Sequence, residues 1–209
     1  MLLLLGNATV DWCEPNYARS PLVAEWHNTL SCLPMVAAGL FGFGWPPSHR
    51  RDPDNTLFVL LFVVGVASMA FHATLVRWAQ AMDELSLLLL VGCAFERLKQ
   101  RKCVRARAAL AAGAAGTALM NDARLQPAVF QLTFACACLR CYVLLARRLR
   151  KWTHVAWFGL ATANTGTGVL AWMLDYHACN TSVVSLHAVW HVCCAFSLFT
   201  FAKIIVAVT

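Results

Sequence analysis

Residues 56–75 read TLFVLLFVVGVASMAFHATL, a run long and apolar enough to cross the hydrocarbon core of a bilayer as a helix. The run is continuous rather than alternating, which excludes a barrel strand, and in lipid only a helix satisfies its own backbone hydrogen bonds. Comparable runs recur at 26–45, 81–98, 104–120, 126–146, 152–174 and 183–206. The expected fold is therefore an all-α membrane protein, a bundle of seven transmembrane helices spanning residues 26–209, preceded by a lumenal N-terminal segment, residues 1–25. Across the 209 residues, 60% are hydrophobic and only 13% charged, about half the charged fraction of a soluble domain. The fourth run is the least secure: Ala108 to Met120 is short and Ala/Gly-rich, and it spans only if Arg105 and Arg107 snorkel to an interface.

Charge placement tests the count. The formal net charge is +7, and 14 of the 17 Lys and Arg fall in alternate loops or at the C-terminal end, leaving Arg19, Arg77 and Arg124 on the other side. The positive-inside rule then places the N-terminus in a lumen or outside the cell and the C-terminus in the cytosol, an odd number of crossings. Dispersal into short loops argues against a nucleic-acid partner, since no basic groove with interleaved aromatics appears. The opening Met1 to Leu5 lacks a basic flank, so no cleavable signal peptide is expected. Sequons at Asn7 and Asn180 fall on the expected lumenal face and are candidate glycosylation sites. Cys13 and Cys179 face the same side, where a disulfide persists. Cys138 and Cys141 form a CxxC on one helix, for which packing is the simpler reading than metal binding.

Polar side chains inside spans are costly unless paired, and so mark function. They concentrate in Ser68 to His72, in Asp83-Glu84 and in His187 to His191. His187 and His191 are four apart, so both imidazoles project from one helical face and suit a single zinc ion. His72 at comparable depth makes a third ligand and leaves the fourth tetrahedral position for water, which zinc activates near neutral pH. Asp83 is placed to take the proton and Ser68 to steady an oxyanion. Glu84 points about 100° away from Asp83 and reads as structural; Trp190 reads as part of the aromatic belt. In the N-terminal segment, Asp11, Cys13-flanking Glu14 and Asn16, followed by Glu25, offer hard oxygen ligands that suit calcium. The same pattern equally suits a solvated acidic tail.

These stretches together resemble the alkaline ceramidases, members of a wider superfamily of seven-span zinc hydrolases. The resemblance rests on Asp11 to Tyr17, Ala24 to Ser31, Ser68 to Leu75, Gln80 to Leu85 and Leu186 to His191, while residues 86–170 match in hydropathy alone. It implies zinc on His72, His187 and His191, with Ser68 and Asp83 as catalytic partners. It implies calcium on Asp11, the Trp12 carbonyl, Glu14, Asn16 and Glu25, and a lumenal disulfide between Cys13 and Cys179. It further implies hydrolysis of ceramide, or a related sphingolipid, to sphingosine and a fatty acid in endoplasmic reticulum or Golgi membranes, the plasma membrane being the alternative, with no obligate protein partner. Two positions depart from the pattern: Ser86 follows Glu84-Leu85 where Pro or Ala is usual, and Asp175 is followed by Tyr176 where Arg is expected. The rival readings are a seven-span lipid-binding receptor with structural zinc and a small-solute transporter, the latter disfavoured by the lack of internal repeats.

Overall fold

The computed structural model describes residues 6–43, 55–101, 103–179 and 185–209. Arg50, Arg51, Lys102 and the Asn180 sequon, which entered the reading above, lie outside the described residues. Eight helices follow in order: α1 (Trp26–Ser31), α2 (Leu33–Phe43), α3 (Thr56–Thr74), α4 (Arg77–Lys99), α5 (Val104–Leu119), α6 (Leu125–Ala146), α7 (Trp152–His177) and α8 (Leu186–Val208). Four of them, α3, α4, α6 and α8, are long and apolar enough to cross a membrane. Large apolar side chains including Leu40, Phe41, Leu132, Leu139, Leu160 and Leu170 stand exposed around the bundle. Apolar exposure on that scale has lipid as its partner, and the chain is an all-α, multi-pass integral membrane protein.

The first expected span is not one helix. It breaks at Cys32 into α1 and α2. Pro34 supplies the reason: it has no N–H to give to the Leu30 carbonyl, and its ring crowds that position, whereas the first turn of a new helix tolerates both. The other six segments begin and end within a few residues of the runs read from sequence. Within α7, where Thr162, Asn164, Thr165 and Thr167 interrupt the apolar run, the hydroxyls of Thr162, Thr165 and Thr167 bond to carbonyls four residues back. Asn164 Nδ2 donates to the Cys193 carbonyl and Ser197 Oγ of α8, so the polar groups are satisfied within the bundle.

The N-terminal segment ties one end of the bundle together. Ala8 N donates to the Leu75 carbonyl and Arg77 N to the Gly6 carbonyl across the α3–α4 turn. Thr9 Oγ1 bonds Gln126 Oε1 at the start of α6, and Cys13 is disulfide-bonded to Cys179 after α7. Arg77 reaches the carbonyls of Thr117 and Met120 at the end of α5. At the opposite end, Thr209 meets Arg97 and Gln100 after α4. The segments thus alternate in direction when α1 and α2 are counted as one, and residues 6 and 209 sit at opposite ends.

Candidate metal centre

His72 lies in the last turn of α3, and His187 and His191 lie in the first two turns of α8. Ser185 starts that helix: its Oγ accepts from Ala188 N at 3.3 Å, the capping bond a serine makes. The three imidazoles converge as the spacing implied. Their ring centroids are 4.5–5.0 Å apart, and one ligand atom from each falls within 4.8 Å of the others. All three are buried, 1–3% exposed. Among the described residues this is the one group of His, Cys, Asp and Glu with that geometry, so the Cys138–Cys141 pair forms no such group; Cys141 Sγ instead donates to the Val91 carbonyl at 3.5 Å.

Each imidazole is held from behind. His72 Nδ1 bonds Glu25 Oε2. His191 Nδ1 lies 2.8 Å from Ser31 Oγ and 3.2 Å from the Asn28 carbonyl. With Nδ1 so engaged, the Nε2 lone pairs of both rings remain for a metal. His187 is fixed through its backbone, whose N–H donates to Asp175 Oδ1 at 3.1 Å, and through its ring, which stacks on Trp12 with centroids 3.5 Å apart. His187 Nδ1 is buried and has no hydrogen-bond partner. A buried imidazole nitrogen left unpaired among two others is costly unless a cation satisfies it, and three neutral nitrogens from three rings are the donor set of a catalytic zinc site. The residues present therefore fit zinc.

Ser68 and Asp83 stand beside this centre. Ser68, one turn before His72 and 3% exposed, lies beside the Asp83 carboxylate and the Cys32 thiol. Cys32 Sγ in turn lies 3.5 Å from His191 Nδ1, so a chain of contacts runs from the imidazoles to Asp83. Asp83 Oδ1 is shielded from solvent and unpartnered. Glu84, by contrast, faces a separate network and accepts from Gln80 Nε2 and Gln126 Nε2, the structural role its angle around the helix suggested.

The acidic N-terminal residues also come together, with more bonds than a solvated tail would make. Both oxygens of Glu14 accept backbone N–H groups of His27 and Asn28 at the start of α1. Glu25 Oε1 accepts from Trp12 N and Oε2 from Asn28 Nδ2. Burial pushes the Glu25 carboxyl up to about 8, against the hydrogen bonds from Asn28 and Trp12 that lower it. Asn16 Nδ2 sits 3.1 Å from both Asp11 oxygens. Among the described residues no Lys or Arg pairs with Asp11, Glu14, Glu25 or Asp175. Asp175, Asn28, Ser31 and the Trp12 ring carried no role in the sequence beyond lying in stretches that resemble the family, Asp175 also being a carboxylate at the end of an apolar run.

The bundle and its centre define a class: a multi-pass membrane protein carrying a buried three-histidine site compatible with zinc. The family model described as ceramidase matches residues 5–209, and the chain belongs to the ceramidase family. It is 42% identical over 99 residues to an alkaline ceramidase of Drosophila melanogaster, a match covering 43% of this chain and 33% of the relative. It is 36% identical over 92 residues to alkaline ceramidase 1 of Homo sapiens, covering 43% and 35%. To alkaline ceramidase 3 of Mus musculus it is 35% identical over 103 residues, covering 47% and 39%. These matches span little more than a third of each relative's length.

Proposed function

We propose that the chain is a zinc-dependent intramembrane amidase that hydrolyses ceramide to sphingosine and a free fatty acid. The observation that carries this reading is the convergence of His72, His187 and His191 around an unpaired buried nitrogen, one turn from the Ser68 hydroxyl and beside the buried Asp83 carboxylate. The relatives' names supply the substrate class. His72, His187 and His191 would hold the zinc. When bound, the metal supplies a Lewis acid that activates water near neutral pH and polarises an amide carbonyl.

The chain's own groups account for the rest. Ser68 Oγ–H donates to the carbonyl oxygen as charge develops there. Asp83, through the oxygen that has no partner in the bundle, takes the proton of the attacking water and returns it to the leaving amine. Glu25, Ser31 and Asn28 keep the imidazoles oriented, and the Trp12 ring closes one side of His187. Ceramide reaches the centre sideways from the bilayer, and both products return to it.

The same reading places calcium on Asp11, the Trp12 carbonyl, Glu14, Asn16 and Glu25. Its support is an accumulation of carboxylates, Glu14, Glu25 and Asp175 buried, with no Lys or Arg partner among the described residues and only His72 beside Glu25. Each carboxylate keeps lone pairs beyond the hydrogen bonds it accepts, and the Asn16 amide turned over presents oxygen instead of nitrogen. Seven crossings, a lumenal N-terminal segment (residues 1–25) with glycans on Asn7 and Asn180, a hydrolase domain over 26–209 and residence in endoplasmic reticulum or Golgi membranes complete the proposal.

The test is sphingosine release from a panel of ceramides by purified protein in detergent, with zinc content measured alongside. His187→Ala is expected to lose zinc and turnover together. Asp83→Asn should keep its zinc while turnover falls by about 10²–10⁴-fold, the usual contribution of a positioned proton acceptor. Stoichiometric zinc with no turnover on any ceramide in the wild type would turn the reading to a lipid receptor.

A further inference from the structure

The bundle contains a second apolar recess, which the histidine centre does not use. It lies between α4 and α5, has a volume of about 430 Å³, and is walled by Leu85, Leu88, Leu89 and Phe95 on one side and Leu110 and Ala114 on the other. Successive residues of a helix are about 100° apart, which sets Leu85, Leu89 and Gly92 on the side of α4 opposite Asp83. The recess is therefore separate from the space in front of Ser68. Gly92 gives it depth: a Cβ there would meet Leu110 Cδ1 at 3.0 Å. From Leu85 to Glu96 it runs about 16 Å at a rise of 1.5 Å per residue, enough to take most of an acyl chain.

One end of this recess is charged. Glu96 and Arg107 form its last walls and bond one another, Arg107 Nη2 donating to Glu96 Oε2 at 2.7 Å. Beyond that end Lys99, the last residue of α4, and Arg101 in the α4–α5 connection are exposed; Lys99, seven residues after Gly92, keeps to the recess side of α4, whereas the exposed Arg105, two residues before Arg107, points away from it. No acidic residue occurs between Glu96 and Asp122. Glu96 balances Arg107, and the other three cations keep their charge. A basic cluster where a helix leaves the membrane attracts anionic lipid, and here it stands at the end of an apolar slot.

We propose that the α4–α5 recess binds one acyl chain of an anionic phospholipid whose negatively charged headgroup is held by Lys99 and Arg101, a lipid site independent of the substrate site. The complement is an amphiphile with negative charge at one end. A zwitterionic lipid would fill the slot but set its own ammonium against the cations, and a soluble phosphate would use the cations without the slot. The basic end of the bundle is also the end that the charge distribution assigns to the cytosolic leaflet, where anionic lipids concentrate.

Native mass spectrometry of the full chain, with palmitoyl-oleoyl phosphatidylserine, the matching phosphatidylcholine or glycerol phosphate added, tests this. One phosphatidylserine should stay bound, raising the thermal midpoint, with phosphatidylcholine at least tenfold weaker and glycerol phosphate without effect. The double variant Lys99→Gln with Arg101→Gln should lose about tenfold or more in phosphatidylserine retention. Gly92→Leu, which fills the slot against the flexible end of Leu110, should lose it as well, each with ceramide turnover in detergent unchanged. Equal retention of the two phospholipids, retention unaffected by the two charge changes, or a dimer of this chain that Gly92→Leu dissociates would each overturn the proposal.

Discussion

Glu25 binds the Trp12 backbone with one carboxylate oxygen and His72 and Asn28 with the other. A carboxylate behind a metal-binding imidazole fixes its tautomer and raises its basicity, and loss of such a partner typically costs about 10–100-fold in metal affinity. Glu25→Gln is expected to weaken zinc by that factor, read as the dissociation constant in competition with a chelator, while the fold is kept by the remaining amide hydrogen bonds. Unchanged affinity would remove Glu25 from the role. The histidines themselves were legible from the sequence because an i, i+4 pair declares its shared face and because polar residues within apolar runs are rare. Their supports were not. Asp175 reaches Cys13 across 162 residues, and the Asn28 carbonyl reaches His191 across 163; a lone polar residue near a helix end carries no sign of which distant backbone it will meet.

Between helices, the closest approach described is made by glycine. A Cβ on Gly39 would lie 2.5 Å from the Phe62 backbone nitrogen, and one on Gly65 would lie 2.7 Å from that of Val36, so α2 and α3 touch main chain to main chain as small residues permit in membranes. Gly39→Val and Gly65→Val should each push the pair apart and cost about 1–3 kcal/mol, the usual range for overpacking, seen as a lower thermal midpoint in detergent. Gly159→Ala and Gly166→Ala, with nothing within 4 Å of the added atom, are the controls and should be neutral or slightly stabilising. Equal midpoints for the two sets would mean that the α2–α3 contact is looser than described. The extents of these helices could be read from apolar run length, but their pairing could not, because a glycine in a helix does not say which neighbour it admits. The break at Cys32 was hidden for another reason: the apolar run passes unbroken through Pro34, and hydropathy does not register a missing N–H.

At the scale of the molecule, the disulfide and the alternating segments are what the proposed orientation of the termini rests on. Cys13 and Cys179 are joined, so the N-terminal segment and the α7–α8 connection share one side, and an oxidising one. Closing a loop with a sequence separation of 166 stabilises by at most about 5 kcal/mol in the chain-entropy model, less where the membrane already confines both ends. Between residue 6 and residue 209 lie seven helical segments, of which α5, at 16 residues, is the shortest after the broken first. At 1.5 Å per residue it is about 24 Å long against a hydrocarbon core of about 30 Å. On the proposed count of seven crossings, the long side chains of Arg105 and Arg107 at its start would make up the difference by reaching back to the interface. Protease protection in sealed microsomes tests this directly, with one epitope fused before Met1 and another after Thr209. The first should be protected and the second digested. If both are digested or both protected, the number of crossings is even, α5 does not traverse the bilayer, and the charged end of the α4–α5 recess no longer faces the cytosolic leaflet.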